Sequence, residues 1–434
     1  MPFPKSVYCI GVKGAGLSSL AQLLHARGVR VSGSDTDTHY FTQETLDAQG
    51  IPYVEGFAAG QIPDDVELVI RSTAYGEDHV EVADALRRGL RVVTYPEAIA
   101  MVFNSGKGIA VCGTHGKTTT TAMLGHILIT CEQDPTVIVG SVVPQFGGSA
   151  RSGKSDVIVI EADEYQNKLA LYDPFGVVLL NIEFDHPDFF SDIDAYVRVF
   201  REFVARIPED GFLIARGDDA RVREVAQLAR CSVVWFATED AKRLDAGLRV
   251  PGLHNRLNAL AAIAAAEQLG VRHADSERAL VTFDGTKRRF ECVGEVGGVT
   301  IIDDYAHHPT EIRAAVQAAR ERYPDRRLVV AFQPHTYTRT IALKEQFAAA
   351  FEVDRVFVMD IFGSAREQHG GITPQELAGA IEQHQTHASA SGGVEETVVA
   401  LKTEVRSGDV VLCLGAGEND RVAQQLLATL SHTT

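Results

Sequence analysis

The stretch Gly108-Ile109-Ala110-Val111-Cys112-Gly113-Thr114-His115-Gly116-Lys117-Thr118-Thr119-Thr120 runs a short apolar strand into two glycines, a lysine and a threonine tract. It then enters the helical pattern that begins Thr121-Ala122-Met123-Leu124. Strand, glycine turn and helix in this order make a phosphate-binding turn and commit the surrounding chain to an α/β sheet. Glycine lets the backbone curl until successive N–H groups point at anionic oxygens, and the following helix adds its positive end. Lys117 supplies charge, and the Thr118 hydroxyl is suited to Mg²⁺. The strict pattern G-x-x-x-x-G-K-[ST] needs a glycine where Val111 stands, so the loop is a shorter G-T-x-G-K-T form. A chain built on this turn is expected to use ATP.

At 434 residues the chain is long enough for two or three domains. A net charge of -17 argues against generic nucleic-acid binding, so an anionic nucleotide must be met by local glycine turns and a few basic residues. Cys9, Cys112, Cys131, Cys231, Cys292 and Cys413 show no C-x-x-C spacing, against a zinc site or a disulfide framework. The first residues pass straight into Val7-Tyr8-Cys9-Ile10, too short an apolar run for a signal peptide, and no later run is long enough to span a membrane. The expectation is a cytoplasmic protein without a membrane or nucleic-acid partner.

Three α/β units follow one another. From Ser6 to about Ser105, apolar runs alternate with helical patterns, which builds a parallel sheet with helices on its faces. Its first turn reads Gly11-Val12-Lys13-Gly14-Ala15-Gly16, G-x-x-G-x-G and not the dinucleotide fingerprint G-x-G-x-x-G. Either a nucleotide diphosphate sits on the helix start at Gly14 and Gly16, with Ser34 or Asp35 reaching a sugar or base, or the glycines only permit tight strand-to-helix packing.

The second unit carries the phosphate loop. Its apolar runs end in Glu161-Ala162-Asp163-Glu164 and in Asn181-Ile182-Glu183-Phe184-Asp185-His186. In a parallel sheet these ends gather on the edge that holds the loop, making Glu161 and His186 candidate metal ligands. Asp194 to Ala205 reads as an amphipathic helix with Tyr196, Val199, Phe200 and Phe203 on one face. Asn255 and Asn258 share a face near the start of an alanine-rich helix, and their amides carry the donor and acceptor an adenine edge requires. The polar, basic segment Phe283 to Phe290 marks a domain boundary.

The third unit repeats the alternation, with expected helices at Pro309 to Arg322 and Ala342 to Phe351 and polar clusters at Asp303 to Pro309 and Gln333 to Thr340. His307 and His308 are adjacent and point apart in most backbones, against one metal held by both.

Taken in order, Gly113 to Thr119, Glu161 to Glu164, Asn181 to His186, Gly252-Leu253-His254-Asn255 with Asn258, Arg288-Arg289-Phe290-Glu291 and Asp304-Tyr305-Ala306-His307-His308-Pro309 resemble the Mur ligases over nearly the whole chain. Phe332-Gln333-Pro334-His335-Thr336-Tyr337-Thr338-Arg339-Thr340 is most similar to the branch that joins L-alanine to UDP-N-acetylmuramate. The resemblance implies an α/β protein of three domains: a Rossmann-like UDP-sugar domain at 1–105, a central P-loop ATPase-like domain with a parallel-rich sheet at 106–284, and a Rossmann-like ligase domain at 285–434. It implies a cytoplasmic, ATP- and Mg²⁺-dependent ligase of peptidoglycan precursor synthesis, monomeric or homodimeric, that works through an acyl phosphate.

The resemblance also assigns roles. The loop Gly113, Thr114, His115, Gly116, Lys117, Thr118 and Thr119 holds the ATP phosphates, with Asn255 and Asn258 for adenine, Asp304 for ribose and Arg289 for a phosphate oxygen. Thr118, Glu161 and His186 hold Mg²⁺, and Lys117, Glu161 and His186 form the catalytic set. His335 and Arg339 are expected at the amino-acid carboxylate, where a guanidinium makes a two-pronged contact. No lysine occurs between His186 and Arg206, so the carbamylated lysine of several Mur ligases has no counterpart. Glu164-Tyr165 and Glu183 to Phe190 are closer to the murein peptide ligases, which attach a recycled tripeptide to the same UDP-sugar. An NAD-dependent oxidoreductase built on Gly11 to Gly16 leaves the Lys117 loop unexplained, and a regulatory P-loop NTPase leaves the third unit's polar strand ends without work.

Overall fold

The computed structural model describes residues 4–38, 40, 42–244, 247–363, 367 and 370–432. The extreme ends of the expected outer domains, 1–3 and 433–434, lie outside the described residues.

Each α/β unit forms its own sheet. The first has five parallel strands in the order Tyr53–Glu55, Arg30–Asp35, Ser6–Ile10, Leu68–Arg71, Val92–Thr94. Ser6–Ile10 lies at its centre and is buried along its whole length, as a strand covered by helices on both faces must be.

The second sheet runs Ser232–Phe236, Phe212–Arg216, Gly176–Leu179, Lys107–Cys112, Val157–Glu161, Thr136–Val143, Gly148–Arg151. Only its last pair is antiparallel. The strand that feeds the phosphate loop is again central. The loop helix Lys117–Thr130 is buried from Thr118 through Leu128, and it packs against the alanine-rich helix Leu253–Gln268. Alanine on the second helix lets the two axes approach closely and brings Asn258 up to the loop. The four residues expected on one face of the helix Ile193–Val204 are all buried, and Asp192 caps that helix by accepting from the Ala195 N–H at 2.8 Å.

The third sheet has the order Glu291–Val296, Val299–Asp304, Val410–Gly415, Leu328–Gln333, Arg355–Met359, His387–Gly392, with only the first strand antiparallel. The helix expected from Ala342 to Phe351 is instead two short ones, Tyr337–Ala342 and Lys344–Ala348, broken at Leu343. The first begins inside the cluster read as a polar strand end. Its residues Thr338, Arg339 and Thr340 carry no apolar period, and the turn is held by the Thr340 hydroxyl donating to the Thr336 carbonyl at 2.6 Å. Among the described residues no helix is long and apolar enough to cross a membrane.

Candidate active site

The phosphate loop has the backbone its glycines predict. Gly113 and Gly116 sit at φ +124° and +85°, conformations that side-chain-bearing residues rarely adopt. A Cβ on Gly113 would lie 2.8 Å from the Asn181 carbonyl, and one on Gly116 would lie 2.5 Å from Asn258 Oδ1. The loop is tied to the next strand end: the Asn181 side chain accepts from the His115 N–H at 2.8 Å and donates to the His115 carbonyl at 2.9 Å. Thr114 Oγ1 donates to the Glu183 carbonyl at 2.8 Å.

Parallel pairing sets Val111 opposite Glu161, which brings that carboxylate to the loop helix. Thr118 Oγ1 donates to Glu161 Oε1 at 2.9 Å, and the Gly140 N–H donates to Glu161 Oε2 at 2.7 Å. Lys117 Nζ reaches back to the carbonyls of Gly113 and Thr114 at 2.7 and 3.0 Å and pairs with Glu164 Oε2 at 3.0 Å. Glu164 is fully buried, and its other oxygen accepts from the Tyr196 hydroxyl at 2.7 Å. Three nearby carboxylates outweigh the burial that would lower the Lys117 pKa, so this amine stays charged.

The adenine candidates and the C-terminal unit meet beside the loop. Asn255 and Asn258 are both buried; Asn255 Nδ2 donates to the Pro251 carbonyl at 2.7 Å and Asn258 Nδ2 to Asn255 Oδ1 at 3.3 Å. Together with His115, Gly116, Arg289 and Asp304 they line a cleft of about 420 Å³, a size suited to a nucleoside. Asp304 is pinned by the N–H groups of Phe290 and Ala306 at 2.7 and 2.8 Å, and burial pushes its pKa up to about 6. Arg289 crosses the junction to donate to Thr118 Oγ1 at 3.3 Å.

A second cleft of about 410 Å³ is lined by Lys117, Glu161, His186, His307, His335 and Arg339 among others, and shares Arg289 with the first. Arg339 is buried and already holds a carboxylate: Nε and Nη2 lie 3.0 and 2.9 Å from Asp185 Oδ1. Its Nη1 is 3.3 Å from His335 Nδ1. Burial and the Arg339 cation press the His335 pKa down to about 4, so His335 is a neutral imidazole. His307 and His308 do point apart. The first ring packs edge-on against Tyr305 and His335, and the second lies tilted at 44° against His115.

The four candidates in the first unit are all in structural use. Gly14 is the N-cap of the helix Ala15–Ala26, and a Cβ on Gly16 would meet the Tyr95 ring at 2.8 Å. Ser34 donates to the buried Glu81. Asp35 accepts from the Lys13 and Thr36 N–H groups at 2.7 and 2.8 Å. The fully buried Lys13 ammonium donates to the Thr36 and Thr38 carbonyls and to Glu55 at 2.8 Å, a link sequence reasoning missed.

The donor set fits Mg²⁺. Thr118 and Glu161 offer hard oxygens side by side. His186 stands in a separate group with Asp163 and Glu164 whose ligand atoms lie within 4.8 Å of one another. His186 has φ +57°, and its Nε2 is 3.9 Å from Glu164 Oε1. Glu164, Asp185, Glu183 and Glu311 hold the candidate residues in place but were not singled out from the sequence. The first three stand in the strand-end carboxylate runs, the signal that could have found them; Glu311 is the third residue of the helix Pro309–Arg322.

A glycine phosphate loop on a parallel-rich sheet, with Lys117 and its carboxylates beside Arg289 and Arg339 of the third unit, defines a nucleotide-binding α/β protein. Comparison with known proteins narrows it. Residues 6–107 match the Mur ligase family catalytic domain, 111–247 the Mur ligase middle domain, and 288–417 the Mur ligase glutamate ligase domain. A UDP-N-acetylmuramate–L-alanine ligase of Desulfitobacterium hafniense is 39% identical over 98% of this chain and 100% of its own length. One of Rubrobacter xylanophilus is 37% identical over 98% and 100%. Among solved structures, a UDP-N-acetylmuramate–alanine ligase of Thermotoga maritima superposes with a TM-score of 0.80 at 24% identity, over 100% of both chains. A murein peptide ligase of Psychrobacter arcticus does so with a TM-score of 0.71 at 26% identity, over 98% and 99%. The chain belongs to the Mur ligase family, and its three domains are the Rossmann-like, P-loop ATPase-like and Rossmann-like units of that fold.

Proposed function

We propose that this chain is an ATP-dependent ligase that joins L-alanine to the carboxylate of UDP-N-acetylmuramate in the cytoplasm, as a step of peptidoglycan precursor synthesis. The observation that carries the reading is end-to-end identity of 36–39% with several curated UDP-N-acetylmuramate–L-alanine ligases. The domains divide as 1–105 for the UDP-sugar, 106–284 for ATP and 285–434 for the amino acid.

A carboxylate is a poor acyl donor because oxide is a poor leaving group. Transfer of the γ-phosphoryl to a carboxylate oxygen releases ADP and gives an acyl phosphate. The amine then attacks the acyl carbon, phosphate leaves, and the nitrogen loses a proton. Lys117 and the loop N–H groups offset the charge on the phosphates as the phosphoryl group moves. Asn255 and Asn258 hold adenine, Asp304 the ribose, and Arg289 a phosphate oxygen from across the junction. Thr118 and Glu161 would hold one Mg²⁺ and His186 a second, and the bound cation would neutralise phosphate charge. Arg339, with neutral His335 beside it, meets the L-alanine carboxylate. Gly14 and Gly16 at the start of the helix Ala15–Ala26, with Ser34 and Asp35 at the end of the strand Arg30–Asp35, mark the end of the first sheet assigned to the UDP-sugar.

The likeness to the Psychrobacter arcticus murein peptide ligase supports a second reading, in which a tripeptide replaces L-alanine. ADP release measured with UDP-N-acetylmuramate, Mg²⁺ and either amine separates the two. Turnover with L-alanine is expected. Turnover only with the tripeptide establishes the second reading, and ATP hydrolysis indifferent to the UDP-sugar overturns both.

A further inference from the structure

His115, the x of the G-T-x-G-K-T loop, has a carboxylate at each end of its ring. Nε2 lies 3.1 Å from Glu183 Oε2 on its own domain, and Nδ1 lies 3.1 Å from Glu311 Oε1 on the helix Pro309–Arg322 of the C-terminal domain. Both acids have their other oxygen committed as an acceptor. Glu183 Oε1 takes the Thr310 hydroxyl at 3.0 Å, and Glu311 Oε2 takes the N–H groups of His307 and His308 at 3.1 and 3.3 Å. Two contacts between a ring and two acids need two protons. A neutral imidazole brings one, so the second sits either on the ring or on a carboxyl. Imidazole is the stronger base by about two pKa units, so the proton goes to the ring.

We infer that His115 works as an imidazolium that clamps the phosphate loop to the C-terminal domain, making His115 a positioning residue whose protonation holds the two domains closed over the nucleotide. The surrounding groups agree. Burial would lower the His115 pKa, but the hydrogen bonds and charges of Glu183 and Glu311 raise it to about 9. His308, packed on the ring at 4.8 Å, is held neutral, its pKa pressed to about 4 by burial and then by the His115 charge. The other facing charges are Lys117, occupied by Glu164, and Arg289 near Glu311; His307, 3.3 Å from Glu311 Oε2, is neutral, its pKa pressed by burial to about 3. The clamp's contribution to stability is whole below the ordinary imidazole pKa of 6.5 and falls away as pH rises through about 9, where the folded protein's ring loses its proton.

The test is ring-nitrogen NMR of the full chain labelled with ¹⁵N-histidine, with His115 assigned through its loss in His115→Gln. At pH 7.5 both His115 nitrogens should be protonated and titrate near pH 9. A ring nitrogen free of its proton at pH 7.5 overturns the inference. Glu311→Gln keeps a carbonyl for the His307 and His308 N–H groups but turns an amide N–H toward Nδ1. It should lower the His115 midpoint by at least about one unit. A lower melting temperature with an unmoved midpoint would mean a merely structural glutamate and also overturns the inference. The kinetic arm rests on the ligase reading. The KM for ATP of the unaltered enzyme should rise about tenfold from pH 7.5 to 9.5, whereas Glu311→Gln should show the raised value at both. Identical pH profiles sink the clamp. Absence of ligation with the expected NMR titration sinks only the ligase reading.

Discussion

Nε and Nη2 of Arg339 converge on a single oxygen of Asp185, at 3.0 and 2.9 Å, across the junction between the C-terminal and central domains. The pair is nearly buried, and Arg339 holds the Asp185 carboxyl, against the opposing effect of burial, well below the usual carboxylate range. One prong, Nη1, is left toward His335 and the cleft proposed above for the amino acid.

Arg339→Lys keeps the charge but not the planar fork, so it cannot hold Asp185 and a second carboxylate together. The KM for L-alanine should rise about 10- to 100-fold, with the KM for UDP-N-acetylmuramate within about twofold. Steady-state kinetics with each substrate varied checks this. A rise confined to the UDP-sugar would move Arg339 to a different substrate.

Lys117→Ala should abolish ADP formation and leave UDP-sugar binding nearly intact, read by calorimetry. It also strips the fully buried Glu164 of its cation. Breaking one side of a buried pair costs about 3–5 kcal/mol, so the variant should unfold at a lower denaturant concentration. Adding Glu164→Gln should recover much of that stability and none of the activity. If the double variant is no more stable than the single one, the pair is not what holds the loop.

Gly116→Ala tests the loop geometry. A side chain at φ +85° costs about 1–3 kcal/mol, and its Cβ would press on Asn258 Oδ1. ATP binding should fall at least about tenfold, while the melting of the N-terminal domain is unchanged. Nucleotide titration monitored by calorimetry is the check.

How much of this was legible in the sequence depends on what each element must do. The loop and its flanking strand were readable because phosphate binding fixes residue types at short spacing, and Glu161 became a candidate because an apolar run ends in it on the same sheet edge. The helices at 193–204 and 253–268 were readable because one carries a clear apolar stripe and the other a long alanine run. The edge strand His387–Gly392 was not, since its His-Ala-Ser-Ala-Ser-Gly has only small side chains to bury. The Tyr337–Ala342 helix hid in a polar run. Asp185 and Glu311 were unreadable as partners because each meets its mate, Arg339 or His115, more than 150 residues away, and no local spacing records that contact.

The buried histidines set the acid side of stability. Burial first, and neighbouring charges second, lower His254, His308 and His335 to about 4 and His307 to about 3. Between those values and 6.5 the unfolded chain binds protons that the folded chain refuses, so each contribution is whole above 6.5 and is lost as pH falls. Asp303 and Asp304 act in the opposite sense. Burial raises them to about 7 and 6, so what they add is present below their ordinary 3.8 and is lost as pH rises through those values. Four histidines against two aspartates leave a net uptake of about two protons on unfolding near pH 5, and stability there should climb with pH. His115 reverses the trend on the alkaline side, losing its contribution from 6.5 through about 9. Melting temperature should therefore peak near neutrality. His307→Gln should flatten the acid limb by up to about 1.4 kcal/mol per pH unit. Calorimetric melts of both proteins at pH 5, 6 and 7 measure this directly; parallel curves would mean that His307 is protonated in the folded enzyme.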